Sequence, residues 1–209
     1  LQVVEAPERP DVTAAAGDAP APRSELPRFA VVDIETSGLS TRRHRILQVA
    51  IVTVEAGQIV DEWSSLIRLR WPFQRVGPRR VHGITRASLR GAPRQRDVLE
   101  QLADRLQGAV FTAHNVRFDW AFIERAARRS KVAIPQVSRL CTLRLSRSLD
   151  PERQLSHRLG DLCDRYEISN DRPHDALHDA RATAVALPHL LAEHRVTSAD
   201  DLRPLYERR

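Results

Sequence analysis

Two acids separated by a single residue, Asp33 and Glu35 in VVDIETSG, lie at the end of an apolar run of strand length. Alternate residues of a strand point to one face, so the two carboxylates share a side. Anions held side by side repel, and a hard divalent cation such as Mg²⁺ or Mn²⁺ relieves that repulsion through oxygen ligands. Two ordinary acids at a solvated strand end would show the same spacing. In AHNVRFDWAF, Asp119 sits among Phe118, Trp120 and Phe122, where burying an unpaired carboxylate is expensive. Compensation of the dipole in the first turn of a helix is the other reading of Asp119. Asn115 reads as the N-cap of that helix. His114 reads equally as a packed strand-end residue or a ligand.

The stretch RPHDALHDARAT, residues 172–183, adds His174, Asp175, His178 and Asp179. Asp175 follows Pro173 and His174 where an N-cap belongs. His178 and Asp179 are adjacent, so on a helix they point about 100° apart and cannot face one metal squarely. His178 is therefore expected at the surface. His174 precedes the helix, where a loop can swing its imidazole toward whatever Asp179 faces. Imidazole takes up a proton near neutral pH, which suits a general base.

These segments need elements to bring them together. RFAVVDI reads as one strand, and ILQVAIVTVEAGQIVDEWSSLIRL as two more around a turn at Ala56-Gly57, the three being antiparallel neighbours. Val98, Leu99, Leu102 and Leu106 recur at helical spacing, and Gly108 stops that helix before a strand at AVFTAH. FDWAFIERAARR, RLCTLRLSRSL and HRLGDLCDRYE read as helices, followed by a last one from about Asp175 to Glu193 despite Pro188. The pattern predicts an α/β fold with a mixed sheet.

At 209 residues and 42% hydrophobic content the chain suffices for one buried domain. A Pro/Ala-rich acidic segment over 1–26, net −3, is expected to be a flexible tail, which leaves +9 on the remainder of a chain whose net charge is +6. A basic domain favours a polyanion such as nucleic acid, although arginine-rich composition alone gives the same sum. Cys141 and Cys163 are far apart and read as buried free thiols. No apolar run is long enough to span a bilayer and no signal peptide is visible, so the expected location is the cytoplasm. A start at Leu1 and the absence of methionine suggest a piece of a longer product.

Taken together, the motifs resemble the DEDDh branch of the DnaQ-like 3′-to-5′ exonucleases, the family of the proofreading subunit of bacterial DNA polymerase III. D-x-E at 33–35, VHGIT at 81–85, HNVRFD ending on Asp119 and H-x-x-x-x-D from His174 to Asp179 occur in the family's order. CTLRLSR and LGDLCDRYEI are also similar, and the likeness runs over about residues 28–193. It implies a ribonuclease H-like mixed central sheet flanked by helices, as a domain over 27–195 followed by a short extension over 196–209. It also implies two divalent cations, Mg²⁺ or Mn²⁺, held by Asp33, Glu35, Asp119 and Asp179, with His174 as general base. Thr36, His82 and Leu39 are the implied contacts to the terminal nucleotide. His82 could instead only stabilise a turn before Gly83, and Leu39 could be core.

The partners implied are the 3′ ends of single-stranded DNA and, in proofreading, DNA polymerase III subunits. Arginines 42, 43, 45, 75, 79 and 80 flank the two loops, and one or two of them are expected to hold phosphate. QLADRL superficially matches a clamp-binding peptide but belongs to an amphipathic helix and lacks the terminal aromatic. Three functions fit: a DNA exonuclease of proofreading or repair, a ribonuclease trimming RNA 3′ ends, and a non-catalytic nucleic-acid-binding module. The five filled catalytic positions disfavour the last.

Overall fold

The computed structural model describes residues 26–71 and 73–208; apart from Leu26, the tail expected over 1–26 lies outside the described residues. Three antiparallel strands open the fold: β1 (Phe29–Thr36), β2 (Ile46–Glu55) and β3 (Gln58–Leu66). The turn between β2 and β3 falls at Ala56 and Gly57, both with positive φ, which is the geometry that matches the right-handed twist of a hairpin. β1 then pairs in parallel with β4 (Val110–Ala113), and β4 with β5 (Arg139–Cys141), giving the order β3-β2-β1-β4-β5.

Because β1 is central, both of its faces are covered, which explains why RFAVVDI is continuously apolar rather than alternating. Ala30, Val32 and Ile34 pack on one side with Val98, Leu99, Leu102 and Leu106 of one helix and Phe122 and Ile123 of another. A short helix α1 (Arg79–His82) precedes these two, α2 (Gln95–Leu106) and α3 (Val116–Ser130). On the other side Phe29 and Val31 pack with Ala176, Ala180, Ala184 and Leu187. Helices α4 (Thr142–Ser148), α5 (Leu159–Arg165) and α6 (Ala176–Glu193) form that layer. The mixed α/β sheet with helices on both faces is the architecture expected. No helix among the described residues is long and apolar enough to cross a membrane.

One element differs from the sequence reading. RLCTLRLSRSL is not a single helix: Arg139–Cys141 is strand β5, and α4 begins only at Thr142. Leu140, fully buried, prolongs the parallel sheet beside β4. Three residues are too few to display a strand period, so the helical spacing downstream masked it. The chain after α6 also folds back onto this edge. A last short helix α7 (Ala199–Leu202) buries Leu202, Leu140 bridges to Tyr206, and the Glu207 N–H donates to the Arg139 carbonyl at 2.8 Å. An otherwise open edge of the sheet is covered in this way.

Gly77, in the segment before α1, presses on Ser37 just beyond β1. Gly77 has φ +85°, and a Cβ there would lie 2.5 Å from the Ser37 carbonyl oxygen. Gly77→Ala is expected to destabilise the protein by at least about 1 kcal/mol from its left-handed backbone alone, with the clash added. Urea denaturation measures this, and unchanged stability would show that the segment does not bear on Ser37.

Candidate active site

β1 delivers Asp33 and Glu35 to the sheet face covered by α6, at the carboxyl end of the parallel strands where ligands of open α/β sheets bind. Two helices aim their first turns at the same place. Asp119 lies in the first turn of α3 and is buried, and Asp179 lies in the first turn of α6. Asp175 is the N-cap of α6, accepting from the backbone N–H of Leu177 at 3.0 Å and of His178 at 3.4 Å. Ala176, Ala180 and Ala184 form an i, i+4, i+8 stripe against β1 and β2, and their small side chains let the helix sit close. Gln48, opposite Glu35 on β2, accepts from the Ala176 N–H at 3.5 Å and ties the helix start to the sheet.

Asp179 is held by two hydrogen bonds. Its Oδ1 accepts from Asn170 Nδ2 at 2.8 Å and its Oδ2 from the His174 N–H at 3.0 Å. His174 reaches this position with φ +67°, a left-handed conformation that histidine adopts more readily than most residues. Potential ligand atoms of Glu35, His174 and Asp179 all lie within 4.8 Å of one another. Asp33 and Asp119 are not members of that group, and Asp119 exerts the strongest of the charges acting on Asp33.

The electrostatics follow from the crowding. Burial first, then the carboxylates of Asp119, Asp179, Glu35 and Asp175, hold the pKa of Asp33 well above the ordinary range. Burial likewise raises Asp119, against the pull of backbone N–H groups of Asp119 and Ile34. Glu35 is pushed up to about 8 by burial and by Asp179 and Asp175. Among the described residues no arginine or lysine forms an ion pair with Asp33, Glu35, Asp119 or Asp179. An all-oxygen set of desolvated acids without a cationic partner fits hard divalent ions such as Mg²⁺ or Mn²⁺.

The other residues named from sequence are placed as follows. Asn115 occupies the N-cap position of α3, but in the left-handed region (φ 75°) and without a side-chain capping bond, so its contribution is the backbone turn rather than the cap expected. His114 is not a ligand. Its Nε2 donates to the His157 carbonyl at 3.0 Å, its Nδ1 lies 3.1 Å from Thr142 Oγ1, and burial pushes its pKa down to about 4. His178 is half-buried rather than at the surface as expected, and its influence falls on Glu62, which Arg181 grips. Thr36 is buried and its hydroxyl donates to the Gly38 carbonyl. His82 is buried, with Nδ1 accepting from the Ile84 N–H, and Nε2 has no partner in hydrogen-bonding geometry. Leu39 is 83% exposed, so it is not core. Cys141 and Cys163 are buried free thiols.

Asn170 and Gln48 escaped the sequence reading, since a lone amide in a loop or on a buried strand carries no spacing signal. Ser146, His157 and Asp150 also escaped it. Ser146 Oγ lies 2.8 Å from His157 Nδ1, and His157 Nε2 lies 3.1 Å from Asp150 Oδ2. The order imitates a hydrolytic triad, but Ser146 is fully buried and no substrate reaches it. The three groups pin the 150–158 loop to α4.

Residues 30–187 match the family model described as RNase T, exonuclease. The chain belongs to this exonuclease family. It is 32% identical over 159 residues to a PolC-type DNA polymerase III of Lacticaseibacillus paracasei, covering 76% of this chain and 11% of the relative. It is 29% identical over 181 residues to the 3′-5′ exonuclease DinG of Bacillus subtilis, covering 85% of this chain and 19% of that one. The chain thus spans a small part of these longer relatives. Among solved structures, exonuclease X in complex with 5′-overhanging duplex DNA superposes with a TM-score of 0.62 at 26% identity, over 83% of this chain and 98% of that one. These matches place the mixed five-stranded sheet in the ribonuclease H-like fold of DEDDh exonucleases.

Crowded acids give the metal-free protein a distinctive pH dependence. Between about pH 6.5 and 8 the folded site retains protons that the unfolded chain, with ordinary carboxyl values near 4, has released. Stability in EDTA is therefore expected to fall as pH rises through that window, which lies above the range where His114 acts in the opposite sense. Mn²⁺ should reduce the fall, and Asp33→Ala should raise the melting temperature in EDTA while removing most of the Mn²⁺ effect. Thermal melts across pH with and without Mn²⁺ decide this. A rise in stability toward pH 8, or indifference to Mn²⁺, would contradict the crowded-acid site.

Proposed function

We propose that this protein is a metal-dependent 3′-to-5′ exonuclease that releases nucleoside 5′-monophosphates from single-stranded or mismatched DNA 3′ ends. The observation that carries the reading is the convergence of Asp33, Glu35, Asp119 and Asp179, free of cationic partners, beside the exposed imidazole of His174. Divalent cations bound there would supply Lewis-acid stabilisation of the phosphodiester in flight and lower the pKa of the attacking water. Asp33, Glu35 and Asp179 would hold them, with Asp119 completing the second position. His174 would take the proton of the attacking water, a role that its proximity to Glu35 and Asp179 supports. The proton goes to the imidazole, the water oxygen joins phosphorus, and the 3′ oxygen of the penultimate nucleotide leaves.

Binding of the terminal nucleotide falls to groups around the same opening. Exposed Leu39 is available to wedge against the last base, and the backbone around Thr36 and the imidazole of His82, whose Nε2 is buried, are the further candidate contacts. Unpaired ends reach such a site most easily, since they give up little stacking and no pairing. The similarity to PolC-type polymerase and to DinG supports a place in DNA proofreading or repair, in the cytoplasm, with DNA polymerase III subunits as partners in the proofreading case. On this reading residues 27–195 form the exonuclease domain, preceded by an acidic tail and followed by a short extension.

His174→Ala is expected to lower turnover by about 10²-fold or more, the scale of a general base, with little change in metal binding. His178→Ala should leave activity near normal, and equal losses in the two variants would undo the assignment. On a 5′-labelled single strand with Mg²⁺ or Mn²⁺, a ladder shortening from the 3′ end is expected, faster for a mismatched than for a paired terminus. Cleavage of a circular strand or release from the 5′ end would contradict end-specific hydrolysis. RNA trimming with negligible DNA cleavage would move the substrate to RNA and leave the chemistry intact.

A further inference from the structure

A basic feature lies on the face of the sheet opposite α6. Between the ends of β2 and β3, the start of α2 and the end of α3 opens a groove of about 860 Å³ floored by Ile46 and Ile67. Arg45, Arg68, Arg70, Arg94 and Arg129 line it, and no acidic residue does. Elsewhere arginines such as Arg105, Arg144 and Arg181 lie against a carboxylate, whereas among the described residues none of these five does. Arg45 and Arg129 donate only to the backbone carbonyls of His44 and Arg42, which leaves most of their N–H groups facing the groove. Arg129 is lowered in pKa by burial and by the charges of Arg45 and Arg125, the mark of cations packed without counter-charge. Trp71 lines the same wall, 59% exposed, with the Arg70 guanidinium 5.2 Å from its ring centroid. Leaving five like charges and an indole in water around one concavity favours a ligand that is both polyanionic and aromatic.

The position relates the groove to the carboxylates. Ser37, two residues beyond Glu35, donates its N–H to the Arg45 carbonyl at 2.9 Å, so one short loop separates the two faces. Arg42 and Arg43 lie on that loop. A strand whose 3′ end enters from the α6 side has this loop as its bridge to the groove.

We propose that the groove is a second nucleic-acid site, in which the arginines hold internal phosphates of single-stranded nucleic acid upstream of the 3′ end and Trp71 stacks on a base. The direction of the strand rests on the exonuclease reading; the binding itself does not. A strand anchored there after each cut would stay bound while its new end re-enters the site, so the groove promotes repeated cleavage of long strands. Guanidinium forks suit phosphate, and aromatic stacking accepts any base, so the site reads little sequence.

The test is fluorescence anisotropy in EDTA, with 5′-labelled single strands of roughly 20 and roughly 4 nucleotides. Arg68→Ala/Arg70→Ala/Arg94→Ala is expected to weaken binding of the long strand by about tenfold or more. Its salt slope should fall by about 2, at about 0.7 per lost phosphate contact. The short strand, held by the 3′-end site alone, should change less than about twofold. Equal affinity and slope for wild type and variant on the long strand would overturn the proposal, as would equal losses on both lengths. Because the variant removes three charges, the wild type is tested as well. A strand carrying 5-iodouracil at internal positions should crosslink to Trp71, and crosslinks that avoid the 67–74 loop would overturn the placement. Poly-glutamate displacing the strand as well as an equal charge of unlabelled DNA would turn the site into a general acidic-polymer surface and overturn the nucleic-acid reading. If no strand is ever cleaved yet the groove behaves as stated, the exonuclease reading fails and the groove stands.

Discussion

Four carboxylates repelling one another at the end of β1, with no arginine or lysine among the described residues in an ion pair with them, are the constraint on which the rest of the arrangement depends. Left to itself such a cluster would push its parts apart or hold on to protons, and the raised pKa of Asp33, Glu35 and Asp119 shows the second response. Keeping the acids together requires a scaffold stiffer than their repulsion. β1 supplies it by being buried on both faces, and the alanine stripe of α6 supplies it by close packing. Helix N-termini under Asp119 and Asp179 add favourable dipoles.

The energy stored in this cluster is also what would favour a divalent cation there. A protein that fully satisfied these carboxylates with arginines would hold divalent ions weakly, because each ion would have to displace a salt bridge. Here the arginines are elsewhere. Arg181 is spent on Glu62, Arg144 on Glu207, and Arg45, Arg68, Arg70, Arg94 and Arg129 line a groove on the far side of the sheet. Anionic chemistry on one face and cationic capture on the other are kept apart by a single sheet, which prevents the two charge clusters from neutralising each other.

Buried polar groups outside the site follow the same economy of position. His114, Thr142, Ser146, His157 and Asp150 form a connected set whose members look chemically able, yet Ser146 and Thr142 at its centre are fully buried and the others are tied up in bonds to one another and to the backbone. Asn170, which looks like an ordinary loop residue, instead orients Asp179. Solvent access and partner geometry, not residue type, separate the two cases.

Spacing alone determined much about this protein. Asp33 and Glu35 share a face because a strand alternates; Asp175 caps because it precedes a helix start; His178 must turn away from Asp179 because 100° separates neighbours on a helix. These are local periodicities, and local geometry enforces them whatever the rest of the chain does. Tertiary structure decided what periodicity cannot reach: that Arg139–Cys141 is a strand, since only β4 beside it makes it one, and that Leu39 is exposed. It alone placed Asn170 on Asp179, silenced His114 between Thr142 and His157, and gathered Arg45, Arg68, Arg94 and Arg129 from four segments into one groove. Contacts between residues distant in sequence depend on how whole elements pack, and no short-range pattern carries that information.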